Sequence, residues 1–216
     1  MNLTQIRDAL KKGEISRVKE LTKAALDEGV AVKTLLDTLI EGMDEIGMRF
    51  KNNEIFIPEV LISAKAMHGG LNILKPLLSK SGIKPTGKIG IGTVRGDLHD
   101  IGKNLVAMMF RGAGFEVIDL GIDVHIEKFV DTAKSKKVNI IAMSTLLTTS
   151  MSVMKDVVGK LRKNGLLERV KTMVGGAPVT EEFAKLIGAD GYAKDASSAV
   201  DKARELIGLL KMRKKV

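Results

Sequence analysis

Apolar positions in the first eighty residues recur every three or four places, which is the spacing of amphipathic helices. Asn52-Asn53 interrupts this pattern, and Pro58 directly afterwards suits a first helical turn. The helices predicted from these stripes and breaks cover residues 2–12, 15–28, 32–50 and 58–78. Four helices joined by short connections predict an antiparallel four-helix bundle, a helical cap domain over residues 1–80.

The spacing of apolar residues changes after residues 81–87. The composition of this segment, Ser-Gly-Ile-Lys-Pro-Thr-Gly, predicts a linker. Short apolar runs then alternate with amphipathic stretches. The predicted strands cover residues 88–94, 116–120, 138–143, 170–174 and 191–193. The predicted helices lie near residues 102–112, 125–136, 150–163, 180–187 and 196–210. This alternation predicts an α/β domain over residues 88–210, with a flavodoxin-like (Rossmann-type) five-stranded parallel sheet.

Cysteine is absent, and the three histidines are His68, His99 and His125. Disulfides, thiolate zinc sites and cysteine-ligated iron–sulfur clusters are therefore excluded. A bound metal must be held by histidine, by carboxylate or by ligands that a cofactor brings. So few histidines argue against a zinc site built from protein side chains alone.

The formal net charge of +9 is unevenly distributed. Four of the basic side chains lie in residues 211–216, which we interpret as a basic tail. With only 3% aromatic residues, no RNA-binding platform accompanies the charge, so we expect no nucleic-acid partner. No apolar run approaches the roughly 20 residues that span a bilayer, and the first residues lack a signal pattern. We therefore expect a cytoplasmic protein with no membrane partner.

Three polar or small-residue loops follow three of the predicted strands. His99 lies just after the first strand, Ser144 begins the loop after the third, and Gly175-Gly176 follows the fourth. In a flavodoxin-like sheet, ligands bind beyond the carboxyl ends of strands 1 and 3, where the strand order reverses. The predicted fold therefore brings these loops together at one binding edge.

Each of these signals also has an ordinary structural explanation. A single loop histidine is usually structural or merely exposed, Ser and Thr often cap a helix, and Gly-Gly often forms a tight turn. Their coincidence at one edge of the sheet favours a functional site there. His68, within a helix, and His125, at the start of another, lack such neighbours, and we interpret both as structural.

Three short motifs lie at characteristic intervals in the second half of the chain. They are Asp97-x-His99-x-x-Gly102, Ser144-x-Leu146 and Gly175-Gly176. The first and second are separated by 41 residues, and the second and third by 28. This pattern resembles the B12-binding family that includes cobalamin-dependent methionine synthase and the corrinoid proteins of methyl-transfer systems. Residues 42–50 and 56–60 also resemble the helical cap of that family.

The resemblance implies that His99 is the metal ligand, coordinating the cobalt of cobalamin or a related corrinoid from below. Asp97 would orient and polarise the imidazole, and Ser150 matches the hydroxyl that extends this pair into a proton relay. The loop that would contact the cofactor consists of Gly96, Asp97, Leu98, His99, Asp100, Ile101 and Gly102.

Further cofactor contacts follow from the same resemblance. The residues expected at the slot for the nucleotide tail of the cofactor are Ser144, Leu146 and Thr148, with Gly175 and Gly176 leaving room and Ala196 adding a contact. In the cap, Phe50 and Ile57 would lie over the upper face of the corrin. Packing of Phe50 in the core of the bundle is an equally favoured alternative.

By this resemblance the protein is a methyl carrier of one-carbon metabolism, with a methyl group held on cobalt during the cycle. It would be the corrinoid subunit of a methyltransferase system rather than a complete enzyme. A substrate-specific methyltransferase would load it, and a second methyltransferase would pass the group to tetrahydrofolate or a similar acceptor. A reductive activase is a further expected partner.

Three alternatives stay open. A B12-dependent light or ligand sensor pairs a similar bundle and fold with an output module. A mutase subunit shares Asp-x-His-x-x-Gly but generally lacks the cap. A flavodoxin-like domain without any corrinoid would have the same fold.

Overall fold

The structure, a computed structural model, describes residues 3–213 and divides after Pro85 into two units. Of the described residues, the first unit comprises residues 3–85 together with residues 111–114. The second comprises residues 86–110 and 115–213.

Four helices make up most of the first unit. They are α1 (Leu3–Lys11), α2 (Ile15–Asp27), α3 (Val32–Lys51) and α4 (Ile57–Ser81). In this unit α1 packs against α3, and α2 and α3 pack against α4. Pro58 occupies the first turn of α4, where the Glu59 carboxylate accepts the Phe56 N–H at 3.1 Å. The predicted helical region is confirmed, and α4 runs three residues beyond its predicted end.

Aliphatic side chains fill the core of the helical unit. The largest fully buried ones include Leu10, Leu35, Leu39, Ile46, Met67 and Leu74. A Cβ placed on Gly70 of α4 would lie 2.9 Å from Cδ1 of Leu39, so a glycine lets α4 approach α3 closely. The bundle is therefore held mainly by apolar packing rather than by its exposed ion pairs.

Five strands of the second unit form one parallel sheet in the order β2-β1-β3-β4-β5. They are β1 (Lys88–Val94), β2 (Glu116–Val124), β3 (Ile140–Ser144), β4 (Lys171–Gly175) and β5 (Gly191–Ala193). This is the predicted doubly wound fold, and the order reverses between β1 and β3. The carboxyl ends of those two strands therefore mark the binding edge.

Helices follow the strands in alternation, as predicted. They are α5 (Ile101–Gly112), α6 (Ile126–Ser135), α7 (Met151–Lys163), α8 (Glu181–Ile187) and α9 (Ala196–Arg213), with a single 3-10 turn at Thr148–Ser150 before α7. Helix α9 extends into the predicted basic tail, and residues 214–216 of that tail lie outside the described residues. Among the described residues, no helix is both long and apolar enough to cross a membrane.

Strand β2 is longer than its apolar run predicts. It continues to Val124, because two irregularities in its pairing with β1 insert extra residues. Gly121 and Asp123 sit at these irregularities with φ of 90° and 49°. Such bulges bend and twist a strand and recur near active sites. Gly121 and Asp123, which lie beyond the predicted strand end at residue 120, are therefore part of the strand.

Apolar side chains cover both faces of the central strands. Phe129 of α6 and Met154 of α7 are fully buried in the core on one face. A Cβ on Gly92 of β1 would lie 3.2 Å from Cζ of Phe129, which explains why this strand carries a glycine beside α6. A well-packed sheet thus supports the loops at its carboxyl edge.

Candidate functional site

One row of residues closes the carboxyl edge of the sheet. Strand pairing places Thr93, Ser144, Gly175 and Ala193 side by side across β1, β3, β4 and β5. The three predicted motifs lie at the carboxyl ends of β1, β3 and β4 and in the loops that follow them. The fold therefore brings the loops of those motifs to one edge.

The loop after β1 folds back on itself around Asp97. The Asp97 N–H donates to the Val94 carbonyl at 3.2 Å, and the Thr93 hydroxyl donates to the His99 carbonyl at 2.8 Å. Asp97 Oδ1 accepts the His99 N–H at 2.9 Å. This is an Asx-turn, in which an aspartate side chain accepts the backbone N–H two residues later in the chain. This turn holds His99 two residues before α5.

Asp97 is fully buried and accepts four hydrogen bonds. Oδ1 receives the His99 N–H and lies 2.6 Å from His99 Nδ1; Oδ2 receives the Thr145 hydroxyl at 2.7 Å and the Leu146 N–H at 2.6 Å. Burial alone would raise the pKa of this carboxyl group. The hydrogen bonds from His99, Thr145 and Leu146 outweigh burial and hold the pKa of Asp97 well below its usual range. Asp97 is therefore an anion at neutral pH.

His99 receives its orientation from that anion. A carboxylate can only accept, so Nδ1 carries the ring proton and donates it to Asp97. In the neutral ring Nε2 then keeps its lone pair, and the side chain is 53% exposed. An exposed imidazole whose other nitrogen donates to a carboxylate is the usual arrangement of a metal-ligating histidine.

Thr145 was not among the residues predicted from the sequence. Ser150 was expected to extend the His99–Asp97 pair, and that role stays a prediction. Ser150 is buried beside the loop, with Oγ 3.5 Å from where a Cβ on Gly96 would lie. Within residues 3–213, however, the side-chain hydroxyl that donates to Asp97 is that of Thr145. The signal in the sequence that could have identified Thr145 was its position directly after Ser144, the last residue of β3.

Asp123 is a second residue that the sequence did not reveal. Its carboxylate accepts the Gly96 N–H at 2.7 Å, and its own N–H donates to the Asp97 carbonyl at 3.0 Å. The backbone of Asp123 is left-handed, a conformation that costs free energy in a non-glycine residue. The end of β2 thereby braces the loop that carries His99.

Gly175 and Gly176 are required by the approach of neighbouring backbone. A Cβ on Gly176, which has φ of 124°, would overlap the Thr145 carbonyl oxygen. A Cβ on Gly175 would lie 2.8 Å from the Ala193 carbonyl oxygen. The Gly175 carbonyl in turn accepts the Thr145 N–H at 3.2 Å. The glycines therefore hold the β3 loop in place, whatever ligand lies beside them, and the room they were expected to leave for a nucleotide tail stays a prediction.

Large aliphatic side chains are exposed around this edge. They are Leu98, Ile101, Ile122, Leu146 and Leu147. Leu98 and Ile101 are 69% and 75% exposed on either side of His99 in the sequence. Exposed aliphatic side chains concentrated in this way mark a binding surface.

The remaining predicted contacts fall into two groups. Asp100 precedes α5 and accepts the side-chain amide of Asn104 at 3.0 Å, while Thr148 lies in the 3-10 turn and Ala196 is buried at the start of α9. Phe50, half-buried near the end of α3, and Ile57, exposed at the start of α4, belong to the helical unit. Their place over a corrin stays a prediction.

The described residues offer a metal one oriented imidazole, that of His99, rather than a cluster of ligands. Within the part of the chain that the structure describes, no three His, Asp or Glu side chains gather closely enough to hold a bare ion. His125 precedes α6, and His68 lies on α4, away from any such group. The fold and site therefore define an α/β protein that can offer a metal one oriented imidazole at the switch point of its sheet.

Comparison with known proteins agrees with this class. The family model for a B12 binding domain matches residues 87–201, and a second model, also a B12 binding domain, matches residues 3–75. A corrinoid protein from Desulfitobacterium hafniense strain Y51 is 41% identical over 210 residues, covering 95% of this chain and 97% of that protein. Dimethylamine corrinoid protein 2 from Methanosarcina acetivorans is 41% identical over 206 residues, covering 95% of both.

A solved structure agrees as well. The methanol:cobalamin methyltransferase complex MtaBC from Methanosarcina barkeri contains a chain that matches with a TM-score of 0.84 and 31% identity. The match covers 99% of this chain and 83% of that one. The chain therefore belongs to the B12-binding corrinoid proteins of methyltransferase systems, whose cofactor is cobalamin or a related corrinoid.

Proposed function

We propose that this protein is a methyl carrier in which His99 coordinates cobalt in place of the cofactor's own base. The observation that carries the proposal is the 2.6 Å contact between His99 Nδ1 and Asp97 Oδ1. It holds the ring proton on Nδ1, so that Nε2 is presented as a ligand on a half-exposed side chain. When bound, the corrinoid supplies a cobalt ion that accepts and releases a methyl group.

The chain's own residues orient and shelter that chemistry. Asp97, fully ionised and buried, keeps the imidazole in one tautomer and increases its basicity as a ligand. Leu98, Ile101 and Leu146 offer the exposed aliphatic surface on which an apolar macrocycle rests. The β3 loop and the Gly175-Gly176 turn form the side of the site that we assign to the nucleotide tail, together with Ser144 and Thr148.

The names of two relatives support a methyltransferase partner that loads the protein. One relative is named for dimethylamine, and the matched solved chain comes from a complex named for methanol and cobalamin. We assign this protein a substrate-specific methyltransferase that loads it and a second methyltransferase that serves tetrahydrofolate or a similar acceptor. A reductive activase would restore cobalt after accidental oxidation, and the cycle would run in the cytoplasm. The residues described at the cofactor site identify no donor, because donor choice belongs to the loading enzyme.

The test is the absorption spectrum of the purified chain loaded with cobalamin. We expect a spectrum in which the cofactor's own base has left the cobalt and a protein nitrogen ligates it. His99→Ala should lose that nitrogen ligation, whereas the matched control His125→Ala should keep it. A His99→Ala spectrum that coincides with the wild-type spectrum would refute the axial assignment.

A further inference from the structure

We infer that Thr145 is the positioning residue that holds Asp97, and through Asp97 the ring of His99, in the orientation suited to a metal. The inference rests on the proposed function, because it assigns Thr145 a part in presenting His99 to cobalt. Thr145 comes from the loop after β3, 48 residues along the chain from Asp97. It joins the two strands whose ends form the switch point.

The direction of the Thr145 hydroxyl is set by its neighbours. Its oxygen accepts the Leu147 N–H at 3.2 Å, and its proton has two acceptors within reach, Asp97 Oδ2 at 2.7 Å and the Leu147 carbonyl at 3.2 Å. The shorter bond to an ionised carboxylate is the stronger one. The proton therefore points to Asp97, and the hydroxyl has one defined role.

Burial makes this hydroxyl hard to replace. Thr145 is 1% exposed, and Asp97 is fully buried beside it. Without the hydroxyl, Oδ2 would keep only the Leu146 N–H, and a buried carboxylate that loses a donor bears a desolvation penalty. The carboxylate would relieve that penalty by rotating toward the donors that remain. Because Oδ1 belongs to the same planar group, rotation would also weaken its contact with His99 Nδ1.

The loop that supplies Thr145 is itself rigid. The Thr145 N–H donates to the Gly175 carbonyl, and Gly176 packs directly against the Thr145 carbonyl oxygen. The position of the hydroxyl is therefore fixed by β4 as well as β3. A change at Thr145 would reach His99 through one intermediate, Asp97, which makes the effect specific and measurable.

The chain offers a matched control at the opposite end of the sheet. Thr172, the second residue of β4, is fully buried, and its hydroxyl donates to Asp190 Oδ2 at 3.0 Å. Thr172→Val thus removes a buried threonine–aspartate hydrogen bond without touching the site. Thr145→Val removes the equivalent bond beside His99. Any general loss of stability should appear in both variants.

The first readout needs no cofactor. Nitrogen-15 NMR of the full chain at about pH 8.5, where an ordinary imidazole is neutral, reports which nitrogen of His99 carries the proton. We expect the Nδ1–H tautomer in the wild type, in Thr145→Ser and in Thr172→Val. In Thr145→Val we expect a mixture of the two tautomers. If valine prevents folding, Thr145→Ala compared with Thr145→Ser answers the same question.

The second readout is the affinity for cobalamin. Loss of a residue that orients a metal ligand typically weakens metal affinity by 10- to 100-fold, and Thr145 acts one step further out, so we expect a weakening of about 3- to 10-fold. Thr145→Ser should restore wild-type affinity. The two readouts separate the claims. Failure of wild-type protein to show protein–nitrogen ligation would count against the proposed function. His99 in the wild-type tautomer in both Thr145→Val and Thr145→Ala would overturn the role of Thr145.

Discussion

Lys103 Nζ lies 2.7 Å from each carboxylate oxygen of Asp119, and the lysine side chain is only 4% exposed. The pair links the first turn of α5 to β2, three residues after the loop that carries His99. Removing the partner of a nearly buried ammonium group costs far more stability than breaking an ion pair at the surface. The contact therefore anchors the helix that follows the site.

Removal of this partner should destabilise the chain strongly. Asp119→Ala leaves the Lys103 ammonium group buried without its carboxylate, and we expect it to lower the free energy of unfolding by about 3 kcal/mol. Glu116→Ala, which breaks the more exposed pair with Lys88, should cost less than about 1 kcal/mol. Urea unfolding of both variants measures the difference. Equal losses would show that the buried pair has no special role.

The stability of the protein should depend on pH through Asp97. Its native pKa lies below the unfolded value of about 3.9, so its contribution is fully present above about pH 4 and is lost as the pH falls through the native pKa. Asp97→Asn should therefore be less stable than the wild type at pH 7, by about 2 kcal/mol. That gap should narrow as the pH falls below about 4. Urea unfolding across this range checks the sign, and a gap that stays constant would contradict it.

Gly176 should tolerate no side chain. A Cβ there would overlap the Thr145 carbonyl oxygen, and φ of 124° is strained for any other residue. We expect Gly176→Ala to lower the free energy of unfolding by more than about 3 kcal/mol. The control is Gly159→Ala in α7, where the added methyl group meets open space and should stabilise the helix by up to about 1 kcal/mol. Thermal unfolding of the two variants should move in opposite directions.

Asp123 should matter through its hydrogen bonds rather than through its backbone conformation alone. Asp123→Ala removes the acceptor of the Gly96 N–H and keeps the strain, so it should cost about 2 kcal/mol. Asp123→Gly removes the acceptor but relieves the strain, and should cost less. Hydrogen exchange at the Gly96 amide, faster in both variants than in the wild type, is the direct measurement. An unchanged exchange rate would show that Asp123 does not brace the loop.

Much of this molecule could be predicted from local patterns. The spacing of apolar residues along a helix or strand shows which side faces the core, and that spacing is visible within a few positions of the chain. The alternation of strands and helices after residue 87 was enough to predict the parallel sheet and its strand order. The His99–Asp97 pair spans two residues, so its chemistry lies within one turn of chain. The motif that resembled B12-binding proteins is short for the same reason, and the family and cofactor were predicted correctly from it.

The supports of that motif were decided only by the tertiary structure. Thr145 and Asp123 reach the loop from β3 and β2, and their contacts depend on strand register and on two bulges that no local period encodes. The same long-range pairing set the end of β2 at Val124 and gave Gly176 its neighbour in Thr145. A sequence specifies which chemistry a loop carries, because neighbours along the chain supply it. Which hydroxyl holds Asp97 depends on distances between separate strands, and only the folded sheet sets those.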